Sequence, residues 1–469
     1  MARALSLPAG QPRGTFEHAY SHTSFTTYAD SAGLRQVLTR NGEVAEQPIA
    51  YVIGSGSHAF GYLVRVGDHL FQSPICYYTQ SRSWGIAPGY EMDPHPDFSR
   101  PVPVACVLCH AGRPEALDST LNRYRDRAFS AEGISCERCH GPADEHLRRP
   151  VPGSIVNPAK LTGARRDSVC EQCHLAGEVR IANPGKSPAD YVPGESLEDT
   201  LTIYVRTRLS GGPIKVVSHA EQLALSACAR KSGGKLWCGT CHNPHQSVTH
   251  AAAYFRERCL GCHAATLNKA HAAEGRDCVA CHMQRKPTSD GGHTIFTDHR
   301  IVRRPEASDA GDPVFDLKPW REPQADLRER NLGLALADFA TQKKSAAQMV
   351  EAFRLLYRIE KKFSSDPAVV SALASLLFIA EDTQEAEKRY RQAVALRPDF
   401  APYQVNLAAA LLKDGKNQEA RECLEKALQL DPLLQSGVEI LSRLYRESGE
   451  KEQADALQIR YRTAMGYKQ

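Results

Sequence analysis

No uninterrupted apolar run reaches the roughly 18 residues that a membrane-spanning helix needs, so the sequence predicts no transmembrane segment. The opening MARALSLPAGQPRG has no apolar stretch long enough for a secretory leader. The GSGS at 54–57 lacks the spacing and the following Lys of a phosphate loop, which leaves it as a turn. Charge of one sign is also missing: 58 Lys and Arg stand against 54 Asp and Glu. Basic stretches such as Arg125–Arg127 and Arg165–Arg166 are too short to predict a nucleic-acid partner. No cysteine pair precedes Cys106, and no histidine follows His299. A Cys- and His-rich region therefore gives way to a C-terminal one with almost no soft ligands.

In that Cys- and His-rich region the ligands are dense and regular. Cys-x-x-Cys-His occurs six times, taking twelve of the fifteen cysteines and leaving Cys76, Cys228 and Cys423 single. The copies are Cys106, Cys109 and His110; Cys136, Cys139 and His140; Cys170, Cys173 and His174; Cys238, Cys241 and His242; Cys259, Cys262 and His263; and Cys278, Cys281 and His282. In such a motif the two thiols add to the two vinyl groups of a haem, and the His reaches the iron from the same side. The reading is six c-type haems. Zinc ribbons also use paired Cys-x-x-Cys, but they do not need a trailing His each time. A redox dithiol explains one such pair, not six with the same extension. Haem propionates would add negative charge, so the formal charge of +4 says little about partners.

Twelve histidines remain for the second axial positions. His245, in CGTCHNPH, lies too close to His242 to wrap around one porphyrin and suits a neighbouring haem. His146, His219 and His271 are further metal-ligand candidates, followed by His293 and His299 in GGHTIFTDHR and by His58. His18, His22, His69, His95 and His250 are left unassigned. Iron held by two imidazoles suits one-electron transfer, whereas an open position would act on a small nitrogen compound or peroxide. Electron transfer through six haems is the leading function, with a haem oxidoreductase or a conducting oligomeric assembly as alternatives. Because haem is attached outside the bacterial cytoplasm, a periplasmic or extracellular location is expected, with the leader missing from this chain.

The fold class expected is multidomain: a multihaem cytochrome with sparse regular structure and short β-strands, then an all-α tetratricopeptide-repeat solenoid. Residues 1–100 form an N-terminal β-containing part, with two or three strands between Ile49 and Thr79. Residues 101–300 carry the six haem motifs, with a hairpin expected over Leu201–Val217 around its central Gly-Gly. Residues 301–326 are a connector, and 327–469 the repeats. Ala386, Ala420 and Ala454 recur every 34 residues, as do Gly415 and Gly449, and Ala393 and Ala427. Leu373, Leu377, Leu407, Leu411, Leu441 and Tyr445 mark one apolar stripe. The repeats would hold a redox protein partner, a partner subunit or a second copy.

The segments YVIGSGSH (51–58), WGIAPGYE (84–91), GISCERCHGP (133–142), IVNPAK (155–160), VCEQCHLAG (169–177), CGTCHNPH (238–245), DCVACHM (277–283) and TDHRI (297–301) together resemble a known family. It is that of bacterial multihaem cytochromes of the cytochrome c-554-like, doubled-CxxCH type with C-terminal tetratricopeptide repeats. The resemblance spans about residues 50–305 and the repeats. It implies an exported electron-transfer protein and raises His58, His146, His245, His293 and His299 as haem-site residues. It implies no substrate. Multihaem nitrite reductases are distantly similar, but their catalytic motif ends in Lys, and no CxxCK occurs here. Family members often carry a haem motif near the N-terminus, so its absence before Cys106 predicts a shortened start.

Overall fold

Alternation of inward and outward side chains begins well before the first cysteine pair and folds the N-terminal region into one antiparallel sheet. Its strands are β1 (Arg3–Ser6), β2 (Gly14–His18), β3 (Thr23–Asp30), β4 (Gly33–Arg40), β5 (Glu43–Gly54), β6 (Ala59–Val66), β7 (His69–Gln72), β8 (Ile75–Tyr78), β9 (Ser83–Ile86) and β10 (Arg100–Pro101). The computed structural model describes residues 3–6, 10–206, 214–246, 248–264, 277–303 and 316–468. The main path runs β10-β7-β6-β5-β4-β3-β2, with β1 added to β5 and β8 joining β6 to β9. In register, Phe25 faces Leu38 and Leu38 faces Ala45, which puts three buried side chains on one sheet face.

The sheet is larger than the sequence reading allowed. The Ile49–Thr79 stretch contributes to four strands rather than two or three. β3 and β4 are hard to read from sequence because the polar Thr23, Thr27, Gln36 and Arg40 lie on the buried face while Tyr28 and Val37 lie on the other, which blurs the apolar alternation. Of the GSGS, Gly54 ends β5 and residues 55–57 lie in the bend that leads to β6. Of the expected hairpin, Leu201–Arg206 is a strand that pairs antiparallel with Leu317–Pro319, and the Gly-Gly lies outside the described residues.

The chain divides into two compact units. The first holds Met1–Ile134, Val179–Ala189 and Arg321–Gln469; the second holds Ser135–Glu178 and Asp190–Trp320. The first motif, Cys106–His110, belongs to the first unit, and the other five belong to the second.

Eight helices in four antiparallel pairs make up the C-terminal part of the first unit: Arg328–Lys343 with Ala346–Ile359, Pro367–Ile379 with Thr383–Leu396, Ala401–Lys413 with Asn417–Leu430, and Gln435–Glu447 with Lys451–Ala464. This is an all-α tetratricopeptide-type repeat region. Ala386, Ala420 and Ala454 are completely buried, as are Ala393 and Ala427, because helices that approach closely leave room for a methyl group only. Each pair is joined through a left-handed residue: Lys344, Glu381, Gly415 and Gly449 have φ of 54°, 64°, 71° and 82°. Glycine meets that backbone demand without strain in the last two pairs.

The repeats are not a separate appendage of the first unit. Met465 is buried in the sheet's own apolar core with Phe25, Leu38 and Phe71, and Tyr461, Ala464 and Tyr467 pack around it. The tail then pairs with β5: Glu46 N–H donates to Gly466 O at 2.9 Å, and Lys468 N–H to Val44 O at 2.8 Å. A Cβ on Gly466 would stand 2.2 Å from Glu46 O, so only glycine allows this approach. Buried His69 ties the middle of the sheet to the repeats, with Nδ1 2.9 Å from Asp68 and Nε2 2.9 Å from Asp431. At the other end of the array, Arg330 is buried against Asp366 at 2.6 Å and donates to Ala182 O at 2.9 Å.

The second unit is built differently. Its apolar cluster is small, made of Leu175, Tyr191, Leu197, Leu201, Ile203 and Val205 with Trp320 against them. Glu137–His140, Cys238–Cys241, Ala251–His263 and Cys278–His282 are helices without a single buried residue. Among the described residues no helix is long and apolar enough to cross a membrane.

Candidate cofactor sites

Each motif sits on a turn of helix, and that placement follows from local sequence. Asp277 caps the helix Cys278–His282 by accepting from Val279 and Ala280 N–H. Helix Gly163–His174 ends on the third motif and helix Ala251–His263 on the fifth. In the second and fourth motifs the His backbone N–H donates to the first Cys carbonyl, His140 to Cys136 and His242 to Cys238, each at 2.9 Å. The first motif starts in helix Val104–Val107 and continues as a turn, with His110 N–H on Val107 O at 2.9 Å. Residues i, i+3 and i+4 of a helix share a face, so the two thiols and the imidazole of a motif address one space.

Two of the motif histidines are oriented by the same device. His140 Nδ1 lies 2.7 Å from Val156 O, and Val156 N–H returns to His140 O at 3.2 Å. His282 Nδ1 lies 2.9 Å from Val302 O, and Val302 N–H returns to His282 O at 3.1 Å. A carbonyl only accepts, so Nδ1 carries the proton in both rings and Nε2 is the nitrogen with the lone pair that a metal would use. His299 is set alike, with Nδ1 2.9 Å from Thr297 O and its backbone N–H on Gln222 Oε1 at 2.7 Å. Val156 belongs to the IVNPAK segment, and Val302 directly follows TDHRI. In the sequence His299 of TDHRI stands out as a ligand candidate, but Val156 and Val302 do not; a valine downstream of a CxxCH carries no signal by itself. This donor set, two thiols and an oriented imidazole on one helical face, fits a thioether-linked haem.

Several remote histidines come to the motifs within the second unit. The His245 ring stacks on His140 with centroids 5.8 Å apart and planes 22° apart. His219 stands edge-on to His174 at 5.0 Å and to His299 at 4.8 Å, and His299 stacks on His242 at 6.2 Å. Thus two motif histidines and two others form one cluster. Desolvation lowers the pKa of His174, His242 and His299, which keeps their rings neutral and able to donate a lone pair. The cysteines converge too. A shared hydrogen bond between the Cys170 and Cys238 thiols pushes Cys170 up and Cys238 down, so the third and fourth motifs lie side by side. Burial, then the neighbouring Cys278 and Cys241, pushes Cys259 up to about 11.

The other candidates are placed individually. His146 Nδ1 lies 2.8 Å from Ser154 Oγ, and His58 Nδ1 lies 2.8 Å from Gln80 Nε2 beside the GSGS turn. His293 is exposed in the turn before the strand Ile295–Thr297. His271 lies outside the described residues. His263, at the end of helix Ala251–His263, is exposed. His69, left unassigned on sequence, is the carboxylate-held link described above.

The tetratricopeptide-repeat family matches residues 401–434. The chain is similar to the multiheme cytochrome MtrA of Shewanella baltica (strain OS185), 24% identical over 184 residues that cover 34% of this chain and 52% of that protein. It is also similar to the TPR repeat-containing thioredoxin TTL4 of Arabidopsis thaliana, 35% identical over 91 residues, 19% of this chain and 13% of that protein. The chain therefore spans only part of either relative. Among solved structures, MamA matches with a TM-score of 0.26 at 16% identity, covering 30% of this chain and 85% of that one. The first TPR domain of human RPAP3 matches with a TM-score of 0.23 at 21% identity, covering 26% and 95%.

Proposed function

We propose that the chain is a multihaem c-type cytochrome of the cytochrome c-554-like type, which carries electrons on six haems tethered by its CxxCH motifs. The observation that supports this most is the shared geometry of the motifs, above all the matched His140–Val156 and His282–Val302 pairs. When bound, haem iron supplies one-electron redox chemistry at a potential set by its ligands. The chain's own residues do the rest. Each Cys pair would tether a haem, and each motif His would supply an imidazole from the same helical turn. Backbone carbonyls 16 and 20 residues downstream of His140 and His282 hold the ring angle and strengthen the donor nitrogen.

The ring proximities favour His245, His219 and His299 as the residues that would help hold the haems of His140, His174 and His242, respectively. Two imidazoles per iron favour a relay over an open catalytic position. The repeats serve to seat a redox partner or another copy, and the location proposed is periplasmic or extracellular. The likeness to a multiheme cytochrome over about a third of the chain supports the redox part of this reading.

The test is expression together with a haem-attachment system, followed by mass measurement after denaturation and by spectra in both redox states. Six covalent haem additions with low-spin spectra throughout are expected. A chain that carries no covalent haem overturns the proposal. A high-spin fraction that shifts with nitrite or hydroxylamine would replace the relay with a haem oxidoreductase.

A further inference from the structure

We infer that the haem held at Cys106, Cys109 and His110 is easier to reduce than those held at His140 and His282. The inference rests on the functional reading above and on a difference among the three imidazoles. His140 and His282 each direct Nδ1 at a backbone carbonyl, at 2.7 and 2.9 Å. His110 Nδ1 is buried and has no hydrogen-bond partner. Donation from Nδ1–H to a carbonyl moves electron density toward Nε2 and makes the imidazole a stronger ligand. A stronger donor stabilises the ferric state relative to the ferrous one and so lowers the potential. His110 lacks that reinforcement.

The surroundings of the first motif act in the same direction. Val107 and Ala111, on either side of His110, are buried in an apolar cluster with Leu63, Leu70, Tyr124 and Phe129. The motif helices Glu137–His140 and Cys278–His282 bury nothing. The ferric form carries one more positive charge than the ferrous form, and an apolar wall penalises that charge. Both effects raise the potential at His110. They do so on the unit that also carries the sheet and the repeats, whereas the other two sites lie on the second unit.

Three variants of the full holoprotein test this: Cys106→Ala with Cys109→Ala, Cys136→Ala with Cys139→Ala, and Cys278→Ala with Cys281→Ala. Each removes one tether, and spectroelectrochemistry against the unaltered chain identifies the component it loses. The component lost in the first variant is expected at a more positive midpoint potential than those lost in the other two. A lost component at or below them overturns the inference while six haems by mass leave the functional reading intact. An unaltered chain without covalent haem overturns both. Should the first variant not fold, histidine-labelled NMR of the intact chain decides. His140 and His282 are expected to show a strongly hydrogen-bonded Nδ1 proton and His110 none, and such a proton at His110 overturns the inference.

Discussion

The two units use opposite means to hold a fold. In the first, sheet and repeats bury large apolar side chains against one another, so the polypeptide supplies its own core. In the second, the apolar cluster is small, and the motif helices Glu137–His140, Cys238–Cys241 and Cys278–His282 are only four or five residues long. Helices of four or five residues are too short to persist by their own hydrogen bonds. On the proposed reading, haems would supply the apolar surface that the side chains of the second unit do not. Where a haem would bring its own apolar surface, the sequence need not.

The strongest way to break this contrast is to withhold the cofactor. Without haem attachment, the segments 135–178, 214–246 and 277–303 are expected to lose protection in hydrogen exchange, while β3 to β7 and the four helix pairs keep theirs. Equal protection of both units in the unattached chain would end the comparison. The next largest effect sharpens it from the other side. Arg330→Ala leaves Asp366 buried without its partner and is expected to cost the first unit about 3–5 kcal/mol in chemical denaturation, with haem content unchanged. Met465→Ala opens a cavity in the sheet core and is expected to cost about 2–4 kcal/mol in the same measurement. If Met465→Ala destabilises the repeats but spares the sheet, the two do not share one core.

Much of this organisation was legible in the sequence. The 34-residue spacing fixed the repeats because helix pairs must bury the same small residue once per turn of the array, and Ala386, Ala420 and Ala454 do so. CxxCH was legible because its three reactive groups are local. What was hidden is long-range. His245 meets His140 across more than a hundred residues, and no local pattern in CGTCHNPH names its mate. The His69–Asp431 link joins residues 362 apart and reads in sequence as two unrelated polar side chains. The buried polar residues Thr23, Thr27, Gln36 and Arg40 hid β3 and β4, since they break the apolar half of the alternation that marks a half-buried strand.

The placement of Met465 also has a meaning in time. A ribosome releases β3 to β7 first, yet the side chain that completes their core arrives nearly 400 residues later. All six cysteine pairs emerge in that interval, before the first unit can close. A chain broken off anywhere in the repeats therefore keeps its N-terminal sheet unsealed, and proteases could tell it from a finished copy by that defect alone.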